Sequence, residues 1–457
     1  QFVHSCPRSA VLCSSDLAAP AGPASAAMAR RLAGFPAAPA GEAGLCPQEL
    51  RRFRAAVRHE TEDLGSLAGV SHVVLHRGRC VFACSGGWAD RAAGARFGLR
   101  TLCRLHGATK PLVAAAFLTL VDASKCRLRD PISKYLEFPD WPAPRGRTAT
   151  AGAATLRDLL TMTAGLGYED CPSYRPLMAK VRDRRISDLR ALCDAIGRLP
   201  LRSKPGSRYD YSFCHDLLGR LCEVISGKRL DIFMREHLLK PLGMKDTHFA
   251  LPPRKKRRAS QLYVVEKRAR PAGRRRAAVR ARPYALKLYR HKHSAPGILS
   301  CGGGILSYLD AGMWGTACDY ARFCQMILDG GVAPGGGRVL RPATARALWS
   351  DALAPLGRAR DGRLPGWHDA DGPRPGGWWD YRGLSLLHAY LDHDLPPRGG
   401  RPPRRSQSMW FSGGGGAFWT VDAARGLVTV SFAQSLGGRE DESDGHGPLA
   451  YRVEPYL

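Results

Sequence analysis

Apolar residues first recur at helical spacing: Leu50, Phe53 and Val57 lie among charged residues, which predicts an amphipathic helix over 47–62. The pattern then changes. Residues 70–76 form an apolar, β-branched run, Gly78 and Arg79 supply a turn, and 80–85 form a second run, which predicts a β-hairpin. A wholly apolar stretch over 111–121 follows a polar approach, so a buried helix is expected over 107–124. Thr155 is placed to cap a short helix running to Met162. Residues 214–227 and 229–239 predict two helices split by Gly227, and 318–329 predicts another, ended by Gly330 and Gly331. Strand patterns return at 417–421 and 427–434, on either side of a polar loop. Strands at both ends and helices between them predict an α+β fold: an antiparallel sheet built from N- and C-terminal strands, flanked by helices, with an inserted and mainly helical region.

Composition divides the chain further. Residues 1–45 are Ala/Pro-rich and are expected to be a disordered or targeting leader, with Met28, ahead of Arg30 and Arg31, as a candidate start. The domain is expected over 46–440, with a tail at 441–457. Two stretches break its pattern: a basic insertion at 252–295 and a Gly/Pro/Arg-rich insertion at 355–408. Both are expected to be irregular. The 457 residues are 44% hydrophobic and carry a formal net charge of +29. That charge has two readings. One is a solvated basic surface in a chain rich in Arg, Ala, Gly and Pro. The other is a polyanion partner bound through 254–292, where Tyr263, Tyr284 and Tyr289 interleave with arginines. The run Lys255-Lys256-Arg257-Arg258 also suits nuclear import.

Fourteen cysteines form no paired C-x-x-C set, and Cys80 and Cys84 share one predicted strand, too far apart for a disulfide. Free thiols in a reducing, intracellular or organellar compartment are expected, in a soluble protein, since no apolar run reaches membrane-spanning length. His388, Asp392, His393 and Asp394, and the pair His291 and His293, have metal-ligand chemistry but lie in the polar insertions. They read as solvated surface, so no metal and no cofactor is expected.

Several segments, in order, carry a resemblance. Thr101-Leu102-Cys103-Arg104-Leu105-His106-Gly107-Ala108-Thr109-Lys110-Pro111 resembles a signature around S-x-T-K-P. Asp130-Pro131-Ile132-Ser133-Lys134-Tyr135-Leu136 resembles D-P-V-x-K-Y-L. Leu156 to Leu166 resembles R-D-L-L-T-H-T-S-G-L, Tyr209-Asp210-Tyr211-Ser212 a Y-S-N region, and Pro241 to Thr247 P-L-G-M-x-D-T. Gly302 to Ser307 and Asp319 to Phe323 resemble G-G-G-L-x-S and D-Y-A-R-F. Together they resemble the β-lactamase-related and penicillin-binding-protein-like serine hydrolases, in the class C β-lactamase and esterase-like branch, over about residues 45–435.

The resemblance implies a β-lactamase/transpeptidase-like fold and acyl transfer of the β-lactamase, esterase or carboxypeptidase type, with an ester, amide or peptide-like ligand. Serine and lysine three residues apart share one helix face, so a neutral lysine can take the serine proton. In this chain Lys110 is present, but Gly107 stands at the nucleophile position and offers only its backbone N–H to an oxyanion hole. Tyr211 is the implied proton relay. Lys110 as an ordinary helix lysine and Tyr211 as an ordinary buried tyrosine are the bland alternatives. Phe213 stands where the family usually has asparagine. The third motif falls on Phe411, Ser412, Gly413 and Gly414, which would line the substrate site without a cationic handle. Ser412 is a weaker candidate for a replacement nucleophile, and His106 reads as structural. Gly107, Phe213 and Phe411 together predict a catalytically impaired member. The alternatives are an active hydrolase, if Gly107 is a sequence error, and a polyanion binder.

Overall fold

The structure is a computed structural model, which describes residues 35–138, 154–168, 171–183, 185–186, 188–267, 284–289, 312–356, 383–392 and 407–437. The predicted hairpin forms as β1 (Gly69–His76) and β2 (Arg79–Asp90), followed by short strands β3 (Ala95–Arg96) and β4 (Cys103–Arg104). Later come β5 (Tyr263–Lys267), β6 (Tyr284–Leu288) and β7 (Trp314–Gly315), and β8 (Gly383–Leu384) with β9 (Tyr390–Asp392). The C-terminal strands are β10 (Ser408–Gly413), β11 (Ala417–Asp422), β12 (Leu427–Ala433) and β13 (Ser435–Gly437).

The main sheet has the order β3-β2-β1-β12-β11-β10-β9-β8, antiparallel throughout. The two ends of the chain meet at its centre, where Val73 faces Val430. Every residue of β12 is buried, because both faces of the sheet are covered. On one side lies α1 (Pro47–Arg58), whose Leu50, Phe53 and Val57 pack with Val70, Val74 and Ala433. On the other lie α2 (Thr109–Asp122) and α5 (Ala317–Leu328). The helical region between them includes α3 (Leu156–Leu160), capped by Thr155 in a reciprocal box with Asp158, and α4 (Cys214–Ser226), ended by Gly227 with φ 70°. The α+β architecture expected from the sequence is the one observed.

Two expectations need correction. In the basic stretch, Pro253–Arg258 is a 3-10 helix, and β5 and β6 pair in a three-stranded sheet with β13. Lys255 and Arg258 both turn onto Asp246, so the cationic run is partly neutralised from within the fold. In the Gly/Pro/Arg-rich stretch, β8 and β9 extend the main sheet. Leu384, Leu386, Leu387 and Tyr390 are buried there, an apolar run masked by the composition around it. His291, His293, His393, Asp394 and the segment 302–307 lie outside the described residues. Among the described residues the cysteines are free, and no helix is long and apolar enough to cross a membrane.

Trp419 is fully buried, its ring 5.9 Å from that of Tyr320 and 6.4 Å from that of Phe323. Trp419→Ala is expected to destabilise the protein by about 3–5 kcal/mol, read as a lowered midpoint of urea unfolding.

Candidate active site

Gly107 sits in a single 3-10 turn, His106–Ala108, that leads directly into α2. Bonds from distant segments fix this turn. Leu105 N donates to Met313 O (2.8 Å), Met313 N to Thr109 Oγ1 (2.9 Å), Tyr320 Oη to Ala108 O (2.8 Å) and Arg104 N to Gln434 Oε1 (3.1 Å). The Thr109 hydroxyl is therefore structural. His106 has a left-handed φ of 45° and its imidazole lies under the glycine turn after β10: a Cβ on Gly415 would stand 2.9 Å from His106 Nε2.

Two glycines here have opposite meanings. A Cβ on Gly413 would stand 2.2 Å from Leu105 O and 3.3 Å from Gly107 N, so β10 can approach the turn only without a side chain. Gly107 has no left-handed φ, and its Cβ would meet Ser412 O at 3.2 Å, Gly413 Cα at 3.6 Å and Phe411 Cε1 at 3.6 Å. A side chain fits at 107 with a shift of a few tenths of an ångström. Phe411 faces position 107 with its ring and Ser412 with its carbonyl. Alternation along the strand turns the Ser412 side chain to the other face, which argues against it as a nucleophile. Gly414 follows in the turn after β10.

Lys110, on the first turn of α2, is buried, and its Nζ donates to Tyr211 Oη and lies 4.6 Å from the Tyr211 ring centre. Burial pushes the Lys110 amine down to about 7, against an opposing pull from the Asp216 carboxylate. Tyr211, 38% exposed, is the polar residue through which this corner opens to solvent. Its position is set by the 161–163 turn. Asp210 N donates to Met162 O (2.8 Å), Ser212 N lies 3.4 Å from Met162 Sδ, and Thr163 Oγ1 donates to Asp158 Oδ1 (2.8 Å). Phe213 is fully buried, nearly parallel to Tyr174 with ring centres 6.0 Å apart, so its ring belongs to the core and does not line an open site.

Three residues join this site that the sequence reading does not place there. Asp216 is buried on α4, five residues after Tyr211, a spacing that the helix could have suggested. His215, also on α4, and His388, in the β8–β9 turn, are fully buried with ring centres 5.1 Å apart. His388 lies 5.4 Å from Phe411 and 5.8 Å from Tyr211, ring to ring. The expectation of a solvated His388 is thus overturned: β9 carries it into the sheet's inner edge. No ring nitrogen of either histidine has a hydrogen-bond partner among the described residues. Burial, with the repulsion of Lys110, holds both imidazoles well below their ordinary pKa, hence neutral. Among the described residues no group of three or more metal-ligating side chains comes together.

The site can therefore hold a neutral amine, a phenol and a backbone N–H around position 107, walled by aromatic rings. That is an acyl-transfer constellation without its nucleophile. The Beta-lactamase family model matches residues 53–450. The chain is 31% identical to Esterase EstB of Burkholderia gladioli over 80% of this chain and 85% of that protein. It is 27% identical to monacolin J acid methylbutanoyltransferase of Aspergillus terreus, over 73% and 77% of the two chains. Among solved structures, EstCE1, described as a hydrolase with promiscuous acyltransferase activity, superposes with a TM-score of 0.66 at 21% identity, covering 90% of this chain and 99% of its own.

The depressed Lys110 has a thermodynamic signature. Its folded value lies below the unfolded one, so its favourable contribution is complete above about 10.5 and is lost as pH falls through about 7. Wild-type stability should rise from pH 7 to pH 10 by on the order of 3–5 kcal/mol relative to Lys110→Met, which lacks the ammonium. Urea unfolding of both proteins across that range checks it; parallel curves would place Lys110 in water.

Proposed function

The chain belongs to the β-lactamase family, and on that premise we propose that it binds an ester- or amide-bearing small molecule in the family's cleft without forming an acyl-enzyme. One juxtaposition carries this reading. The Lys110–Tyr211 pair stands at the head of α2, one residue triplet from a position 107 that has no hydroxyl. With a serine at 107, its proton would pass to the Lys110 amine, directly or through Tyr211 Oη. The freed oxygen would add to a carbonyl carbon, and the backbone N–H at 107 would hold the oxyanion. With glycine the proton acceptor and the N–H remain, but no protein atom is available to attack. What is left recognises a carbonyl by its polarity and its substituents by the rings of Phe411 and Tyr211. The names of the Burkholderia esterase and the Aspergillus acyltransferase support ester and acyl groups as the ligand class.

A second reading, an active esterase- or β-lactamase-like hydrolase with serine at position 107, is favoured by a specific observation. The retained base and the room for a Cβ at 107 are what such an enzyme needs.

Two measurements separate these readings. A fluorescent acylating serine-hydrolase probe should leave the protein unlabelled; stoichiometric labelling would sink the non-covalent reading. Gly107→Ser should create a slow activity on p-nitrophenyl esters that rises with pH through a midpoint near 7, where Lys110 loses its proton. Lys110→Met in that background should lower the rate about 100-fold or more.

A further inference from the structure

A second concavity lies away from Gly107, Lys110 and Tyr211. It has a volume of about 1240 Å³ and its charge is one-sided. Nine cationic side chains line it, six of them arginines, against three carboxylates, Asp231, Asp246 and Asp319. Each carboxylate is already engaged. Asp246 takes Lys255 (2.8 Å) and Arg258 (2.6 Å), Asp231 takes Arg229 (3.2 Å), and Asp319 accepts from Asp246 N (2.6 Å) and Thr247 Oγ1 (2.9 Å). The other six cations, Arg100, Arg235, Lys240, Lys245, Arg254 and Arg322, have no carboxylate partner among the described residues, and Arg322 Nε is buried without a hydrogen-bond partner among them.

These cations come from four separate parts of the chain and converge on one hollow. The ion pairs to Asp246 fix the 3-10 helix Pro253–Arg258 as one wall, and Met244, Phe249 and Met313 give the floor apolar surface. Unpaired like charges gathered around a low-dielectric cavity repel one another, and an anion relieves that repulsion. Guanidinium forks match the paired oxygens of phosphate. The volume exceeds the roughly 300–1,000 Å³ common for small-molecule sites, which leaves room for an organic body beside the charged group. A concave hollow of this kind suits a compact ligand, whereas a nucleic-acid strand follows an extended groove.

We infer that this cleft binds a small organic polyphosphate, of nucleotide size, at a site separate from the acyl-binding corner.

The test uses the full chain, titrated by calorimetry with ATP, inorganic tripolyphosphate and a 20-nucleotide RNA, at low and high salt. ATP and tripolyphosphate should bind, more weakly at high salt. The double variant Arg235→Glu/Lys240→Glu, at two exposed positions, should weaken both by about tenfold or more. Arg254→Glu, on the opposite wall, should act in the same direction. A melting curve matching wild type shows that each variant is folded. Absence of binding by ATP and tripolyphosphate would overturn the assignment. So would affinities unchanged in both variants, or binding of the RNA alone.

Discussion

Strand β10 touches the head of α2 only because Gly413 carries no side chain, and the site is assembled around that contact. The backbone of 105–108 and the backbone of 412–413 come within van der Waals distance. This brings the Phe411 ring, the Ser412 carbonyl and the N–H of Gly107 to one point. Everything else holds the two partners in place. Tyr320, from a helix under the sheet, grips the Ala108 carbonyl, and Gln434, just beyond β12, brackets the backbone of Arg104 with both ends of its amide. The left-handed His106 is the conformational cost of bending the chain into this turn.

Around that contact the interior is basic in composition and kept from being charged. Lys110, His215 and His388 are three bases within one buried neighbourhood, and desolvation disfavours the cationic form of each. Asp216 is the carboxylate that pulls the other way on Lys110. The outcome is an amine poised to accept a proton near neutral pH. An acyl-transfer site requires that of its base, and here the property outlives the nucleophile it would serve.

The elements were legible because their patterns are local. The hairpin at 70–85, the apolar helix after Lys110 and the Thr155 cap all declare themselves within a few residues. The pairing of Lys110 with Tyr211 was legible through family motifs. The reason those motifs matter was not. Met162 holds the backbone on either side of Tyr211 from about 50 residues away, and only the folded chain shows it. Phe213 was misplaced for a related reason: its neighbour Tyr211 faces the opening, but the start of α4 rotates Phe213 onto Tyr174. His388 was hidden by its surroundings. A polar, Gly/Pro/Arg-rich stretch does not announce two short strands at the edge of a sheet, and burial of a histidine is decided by what packs over it.

The β1–β12 pairing has a consequence for how the protein is made. The central ladder joins residues 70–76 to 427–433, so a ribosome must release nearly the whole described chain before β1 acquires its second neighbour. Until then the hairpin presents an unpaired, apolar edge, and the turn carrying Gly107 has no strand to rest against. Vectorial synthesis therefore leaves the N-terminal third waiting on the C-terminal strands, an interval in which a holding chaperone would find its substrate.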